Sequence, residues 1–201
     1  MLAEAGSKQA VRGSAGRIAV KLTSSGADFS DFTGTISASG RVLGSGGSAD
    51  SSAGTVYLQT AADGDKGGTV TIAMSAGNQA ANNTNTTEMV SLGYGGDAVA
   101  DYKHVKYVVR DYGRAAVNTD FAARTVTIAD ANSSIDLEGN ELTVTDFAYA
   151  ETSGETPRIV RLPVGDYDWS ALQGYAWAVD SSAEKTGRLV VHGSATVIVL
   201  H

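Results

Sequence analysis

The sequence predicts an all-β protein, and three observations carry that prediction. Apolar residues fall in short runs that alternate or are β-branched, such as "RIAVKL", "TVTIA", "LTVTDF" and "RLVVHG", the period-2 signature of half-buried strands. The 24 glycines, with Ser, Asn and Asp, punctuate these runs, while only 2 prolines are present. No stretch sustains a 3.6-residue period over ten residues, so the crossover helices of βαβ units have no room.

In chain order the expected strands are residues 17–22, 33–38, 55–59, 69–74, 105–109, 125–129, 134–137, 141–145, 158–162, 188–192 and 196–200. Each is bounded by turn residues. Two stretches, "DFAARTV" and "DWSALQGYAWAV", each hold at most a helical turn, the second with Asp168 or Ser170 as its cap. The polar run "GNQAANNTNTT" at 77–87 reads as an exposed loop, and "LEGNEL" as a tight hairpin.

Several strands look alike. "GTISAS", "GTVYLQ" and "GTVTIA" each open on Gly-Thr and then alternate. Two architectures fit: a run of antiparallel hairpins in a β-sandwich, or a parallel β-helix whose coils stack. No Asn-Gly or Asp-Gly pair occupies a clean two-residue hairpin position, which favours the solenoid. Ile18, Val20, Ile36, Val56 and Leu58 would then form inward ladders. The expected organisation is coils over 1–148 and a capping or interaction segment over 158–201, which holds both Trp and both Pro.

Composition narrows function by exclusion. The net charge is −7, and no long basic run exists, so nucleic acid is not an expected partner. The absence of Cys removes disulfides, thiolate metal sites and cysteine nucleophiles. No apolar run is long enough for membrane insertion. Residues 1–17 lack the apolar middle of a signal peptide, so an exported protein would carry this chain as a mature fragment or excised domain.

"GSAGRIAVKL", "DFTGTISASG" and "SSAGTVYLQ" resemble the Gly-rich coils of pectin-lyase-like, right-handed parallel β-helix regions in large bacterial cell-surface proteins of the autotransporter and adhesin kind. The matching positions are Gly16, Arg17, Ile18 and Ala19, then Gly34, Thr35 and Ile36, then Gly54, Thr55, Val56, Tyr57 and Leu58. "SIDLEGNELTV" is similar to coils that follow in such proteins. The resemblance implies a secreted or surface location and a scaffold role. Enzymes of that fold carry Asp pairs, Arg or calcium carboxylates on one face, a signature missing here.

The motifs that carry chemistry are few. "GSGGSAD" lacks the Lys-Ser/Thr and helix of a phosphate loop and reads as a surface turn. In "ADGDKGG", Asp63 and Asp65 have calcium-loop spacing, but Met74 stands where an EF-hand needs a carboxylate, so a turn with weak calcium candidates is expected. "SAEK" and "KTG" would share one lysine, Lys185, which rules out the two-motif arrangement of penicillin-interacting enzymes. His104, His192 and His201 are the only histidines; no carboxylate or His at i+2 or i+4 of His104 completes a metal site, and nothing selects one of them for a Ser-His-Asp triad.

The most functional-looking segment is "YKHVKYVVRDYGR", which gathers cations and three of the 8 tyrosines. Alternation places Tyr102, His104, Lys106 and Val108 on one strand face, and Lys103, Val105, Tyr107 and Val109 on the other. Tyr102, His104, Lys106, Tyr107 and Arg110 are therefore candidate partner- or glycan-binding residues, against the plainer reading of a lysine-protected edge strand. Trp169, Tyr175 and Trp177, with Tyr167, form an aromatic set suited to capping or to subunit contact.

The expectation is a non-enzymatic extracellular β-solenoid without cofactors, structural or adhesive, associating with copies of itself into a fibre. The alternative is a carbohydrate-binding or carbohydrate-cleaving β-helix using Asp97, Asp101, Asp111, Lys103, Lys106 and Arg110, with surface glycans as partners.

Overall fold

The computed structural model describes residues 15–40, 51–64, 66–74, 85–89, 102–153 and 156–193. The protein is all-β, with almost no helix. The strands are β1 (Arg17–Lys21), β2 (Thr55–Gln59), β3 (Gly68–Ala73), β4 (Thr87–Glu88), β5 (Val105–Arg110), β6 (Arg114–Ala116), β7 (Phe121–Ile128), β8 (Ser134–Asp136), β9 (Glu141–Ser153), β10 (Thr156–Arg161), β11 (Gly165–Asp168), β12 (Ala178–Val179) and β13 (Arg188–Val191). Among the described residues one α-helical turn, α1 (Trp169–Leu172), precedes β12, and two 3-10 turns span Ala61–Asp63 and Tyr102–His104.

A 9-stranded mixed sheet runs β1-β2-β3-β5-β7-β9-β13-β11, with β10 beside β9. A 4-stranded sheet runs β12-β8-β6-β4 and is parallel throughout. The chain alternates between them: β3 to β4, β5 to β6, β7 to β8. Between β9 and β12 it detours through β10, β11 and α1.

Alternation in sequence becomes aligned rows in space. In β3, Val70 and Ile72 point inward while Thr69, Thr71 and Ala73 face out. Register places Val70 beside Tyr107, Tyr107 beside Val126 and Val126 beside Phe147. Ile72, Val109, Ile128 and Tyr149 form the next row. These residues belong to one large core. Strands stand about 4.8 Å apart, so each inward side chain packs on its counterpart, and each buried Val or Ile contributes about 1.5–3 kcal/mol.

The inward pattern slips by one in two neighbouring strands together. Arg124 and Thr125 both face out between buried Ala123 and Val126 in β7, and Thr145 and Asp146 do the same between Val144 and Phe147 in β9. Thr125 pairs with Asp146, and the Thr145 hydroxyl donates to the Arg124 carbonyl.

A second, smaller core of Ile18, Ala38 and Val56, with Val20, Ile36 and Leu58 against it, is built by β1, β2 and the 36–38 segment. It covers the opposite face of the sheet. Val56 pairs with outward-facing Thr71 across the antiparallel β2–β3 step, while Tyr57 pairs with inward-facing Val70. Cross-strand partners share a face, so the buried side of the sheet changes between β2 and β3. The expected ladder residues Ile18, Val20, Ile36, Val56 and Leu58 do pack together.

Several expectations are corrected. Residues 33–38 are not a strand: only Ser37 makes a bridge, and the segment joins its neighbours through Gly54 N–H donating to Ala38 O at 2.7 Å. "DFAARTV" is strand, not a helical turn, because Phe121 and Ala123 align with Leu142 and Val144. "LEGNEL" is not a hairpin: β8 and β9 lie in different sheets, and Glu138 (φ 49°) and Gly139 (φ 79°) turn the chain from one to the other. An antiparallel sandwich would pair sequence neighbours, but β5, β7 and β9 run parallel. The short strands β4, β6, β11 and β12 went unforeseen, since two to four residues carry no legible period. The expected capping or interaction segment, 158–201, joins both sheets: β12 pairs with β8, and β13 with β9. Strand 196–200 and loop 44–50 fall outside the described residues, as does 77–84 of the polar run. No described helix is long and apolar enough to cross a membrane.

Candidate functional site

The basic segment divides by burial. Residues Tyr102–His104 form a 3-10 turn, so His104 is not in a strand; it and Lys103 are exposed. In β5, Val105, Tyr107 and Val109 turn inward, and Lys106, Val108 and Arg110 outward. Tyr107 is 0% exposed, its hydroxyl donates to Met89 O at 3.0 Å, and its ring meets Phe121 edge-on. Burial drives its hydroxyl pKa far up, so the phenol stays neutral. Tyr107 is thus a core residue with no surface to offer a ligand, and Tyr102 also meets the Phe121 ring edge-on.

Lys106 Nζ lies 3.5 Å from Asp63 Oδ1, uniting two candidates. Asp63 Oδ2 also accepts from Thr60 N–H and Thr60 Oγ1, both at 2.9 Å. The backbone hydrogen bond from Thr60, aided by the Thr60 hydroxyl and Lys106, holds this carboxyl below its ordinary value against a smaller desolvation effect. Asp63 therefore completes the capping box of the 3-10 turn Ala61–Asp63, whose N-cap is Thr60. No cluster of three metal-ligating side chains occurs among the described residues, and Asp65, Asp97, Asp101 and His201 lie outside them.

Arg110 stands at the mouth of a cleft of about 400 Å³. Thr71, Ala73 and Met74 line it together with Ile36, Ala38, Val56 and Leu58 of the small core. Arg110 Nη1 pairs with Asp111 Oδ2 at 2.5 Å, giving the rim a donor and an acceptor. Asp111 (φ 54°) and Tyr112 (φ 63°) both occupy the left-handed region, where non-glycine backbone is strained. Asp130 holds that turn, its Oδ2 accepting from Asp111 N–H and from Ser133 Oγ.

Of the aromatic set, Tyr175 and Trp177 join one ring cluster with Phe147 and Tyr149. Trp177 (4% exposed) packs on Phe147, Tyr149 and Tyr175 with centroids 4.6, 5.7 and 5.3 Å apart. Its Nε1 is buried without a partner. Trp169 and Tyr175 are half-buried, and Lys185 Nζ sits 5.9 Å from the Trp169 ring centre. Trp177 serves the core, while Trp169 and Tyr175 retain surface.

The sequence reasoning missed the carboxylates that end strands. Asp130, Asp136 and Asp180 each follow a strand or close one and collect backbone donors. Asp136 Oδ1 accepts from Glu138 N–H at 3.0 Å and from Ser181 N–H at 2.9 Å; Asp180 Oδ2 accepts from Gly187 N–H at 2.7 Å. The recurring "IAD", "SID" and "AVD" were the available signal. Thr71 and Ser37 of the cleft carried none.

No protein-family model, curated protein or solved structure matches the chain.

Proposed function

We propose that this chain is a parallel β-helix with a structural or adhesive, non-enzymatic role outside the cell, associating with further copies of itself. The observation that carries the proposal is the register. Lys106 stands beside Thr125 and Thr125 beside Asp146, so the chain returns to the same wall after about 20 residues, a solenoid repeat length. The second sheet keeps pace, with Arg114 beside Ser134. The likeness to surface-protein coils at Gly16–Ala19 and Gly54–Leu58 supports the extracellular reading, as does the low charged fraction of 18%. Light scattering across a concentration series, with negative-stain microscopy, tests it. Mass growing with concentration and elongated particles are expected; a compact, strictly monomeric protein overturns the associating role.

The cleft favours a second reading. Its ion pair, hydroxyls and aliphatic wall suit a neutral glycan better than a simple ion, because Arg110 and Asp111 would each repel one sign. A glycan array comparing the native protein with Arg110→Ala tests this; a blank array removes it.

A further inference from the structure

We infer that copies of this chain join head to tail, β11 of one copy adding to β1 of the next. The inference rests on the self-associating reading above and names its surfaces. β1 and β11 are the two ends of the large sheet, and neither has a second strand partner among the described residues. Such edges present unpaired backbone groups and template strand addition.

The two edges carry opposite charge. β1 exposes Arg17 and Lys21, and β11 exposes Asp166 and Asp168. Around β11 a single guanidinium, Arg188, serves Asp166 and Glu141, so carboxylates remain in excess there. At β1, Arg17 approaches Glu88 only to 3.9 Å, with the side chains 46% and 62% exposed, and Lys21 adds a second cation. Both strands alternate, exposed charges on one face and Ile18 or Tyr167 on the other. Pairing β1 with β1 would oppose cations, and β11 with β11 would oppose carboxylates. Only the heterologous pairing is complementary, and because it joins different patches it propagates as an open chain.

The test uses the unmodified protein. Isotopically light and heavy copies are mixed at associating concentration, treated with a zero-length carboxyl–amine cross-linker and read by mass spectrometry. Light-to-heavy links from Lys21 to Asp166 or Asp168 are expected. In parallel, Arg17→Glu with Lys21→Glu, both solvent-facing, is expected to weaken association about tenfold or more while the far-UV spectrum stays native. Association that persists in this variant without those cross-links overturns the head-to-tail contact and leaves the self-associating role standing. A protein monomeric at every concentration overturns both.

Discussion

Gly54 packs on the backbone of Gly16 so closely that a Cβ at position 54 would stand 1.9 Å from the Gly16 carbonyl oxygen. Both glycines sit one residue ahead of a strand, in the repeated "SAGR" and "SAGT", and Arg17 pairs with Thr55. The motif recurs because it occupies the same place twice.

The first prediction follows from that contact. Gly54→Ala must push backbone against backbone, which costs more than an ordinary surface change and should lower stability by more than about 2 kcal/mol. Gly174→Ala, where a Cβ meets nothing within 4 Å, should stay within about 0.5 kcal/mol. Urea titration of both variants checks the contrast; equal effects would refute the packing.

Asp180 should make stability depend on acid pH. It is 2% exposed. Burial alone would raise its pKa, but hydrogen bonds from Ser182 and from the Gly187 amide, with the Lys185 charge, together lower it. A pKa lowered by folding gives stability that is fully present above the unfolded value of about 3.9 and is lost as pH falls through the folded value. Asp180→Ala should cost about 1–3 kcal/mol near neutral pH by stranding buried donors. The isosteric Asp180→Asn should unfold with a shallower pH dependence below about pH 4. Parallel slopes for native and Asn proteins would disprove the linkage.

Tyr107→Phe isolates one hydrogen bond. The ring keeps its place beside Phe121, but the Met89 carbonyl loses its donor, which should cost about 1–3 kcal/mol with the fold intact. Because the side chain is sealed in the core, glycan or partner binding should not change. A stable variant with altered binding would reverse that assignment.

Leu172 tests the detour. It is the one buried residue of α1, 0% exposed, and belongs to the main core. Leu172→Ala should cost about 2–5 kcal/mol. Ile159→Ser, at a side chain 55% exposed on β10, should change stability by less than about 0.5 kcal/mol. Thermal melts of the pair distinguish a core contribution from a loose appendage.

The strands with clear alternation were legible in sequence. β2 falls on the expected 55–59, and β1, β3, β5 and β13 lie within a residue or two of expectation. Local chemistry sufficed there, because β-branched alternation needs a sheet face whatever its partner. The turn α1 was legible for the same reason, with Asp168 or Ser170 as its cap; the structure selects Asp168, whose side chain accepts from Ala171 N–H. The candidate site was half legible. Outward Lys106 and Arg110 were named, but the sorting of Tyr107 and Trp177 into the core depends on Phe121, Phe147 and Tyr149, which come from other strands.

By itself, then, the sequence determined the all-β class, most strand positions, the absence of cysteine chemistry and an acidic surface, because period and composition are local properties. Tertiary structure decided what no local pattern encodes. It set which strands are neighbours and in which direction, and it moved the buried face between β2 and β3 through the pairing of Val56 with Thr71. It also set Arg110 and Asp111 at a cleft with Ile36 and Leu58, residues far away along the chain. The physical reason is that a strand's hydrogen bonds and buried face are completed by another segment, and only the folded chain fixes which one.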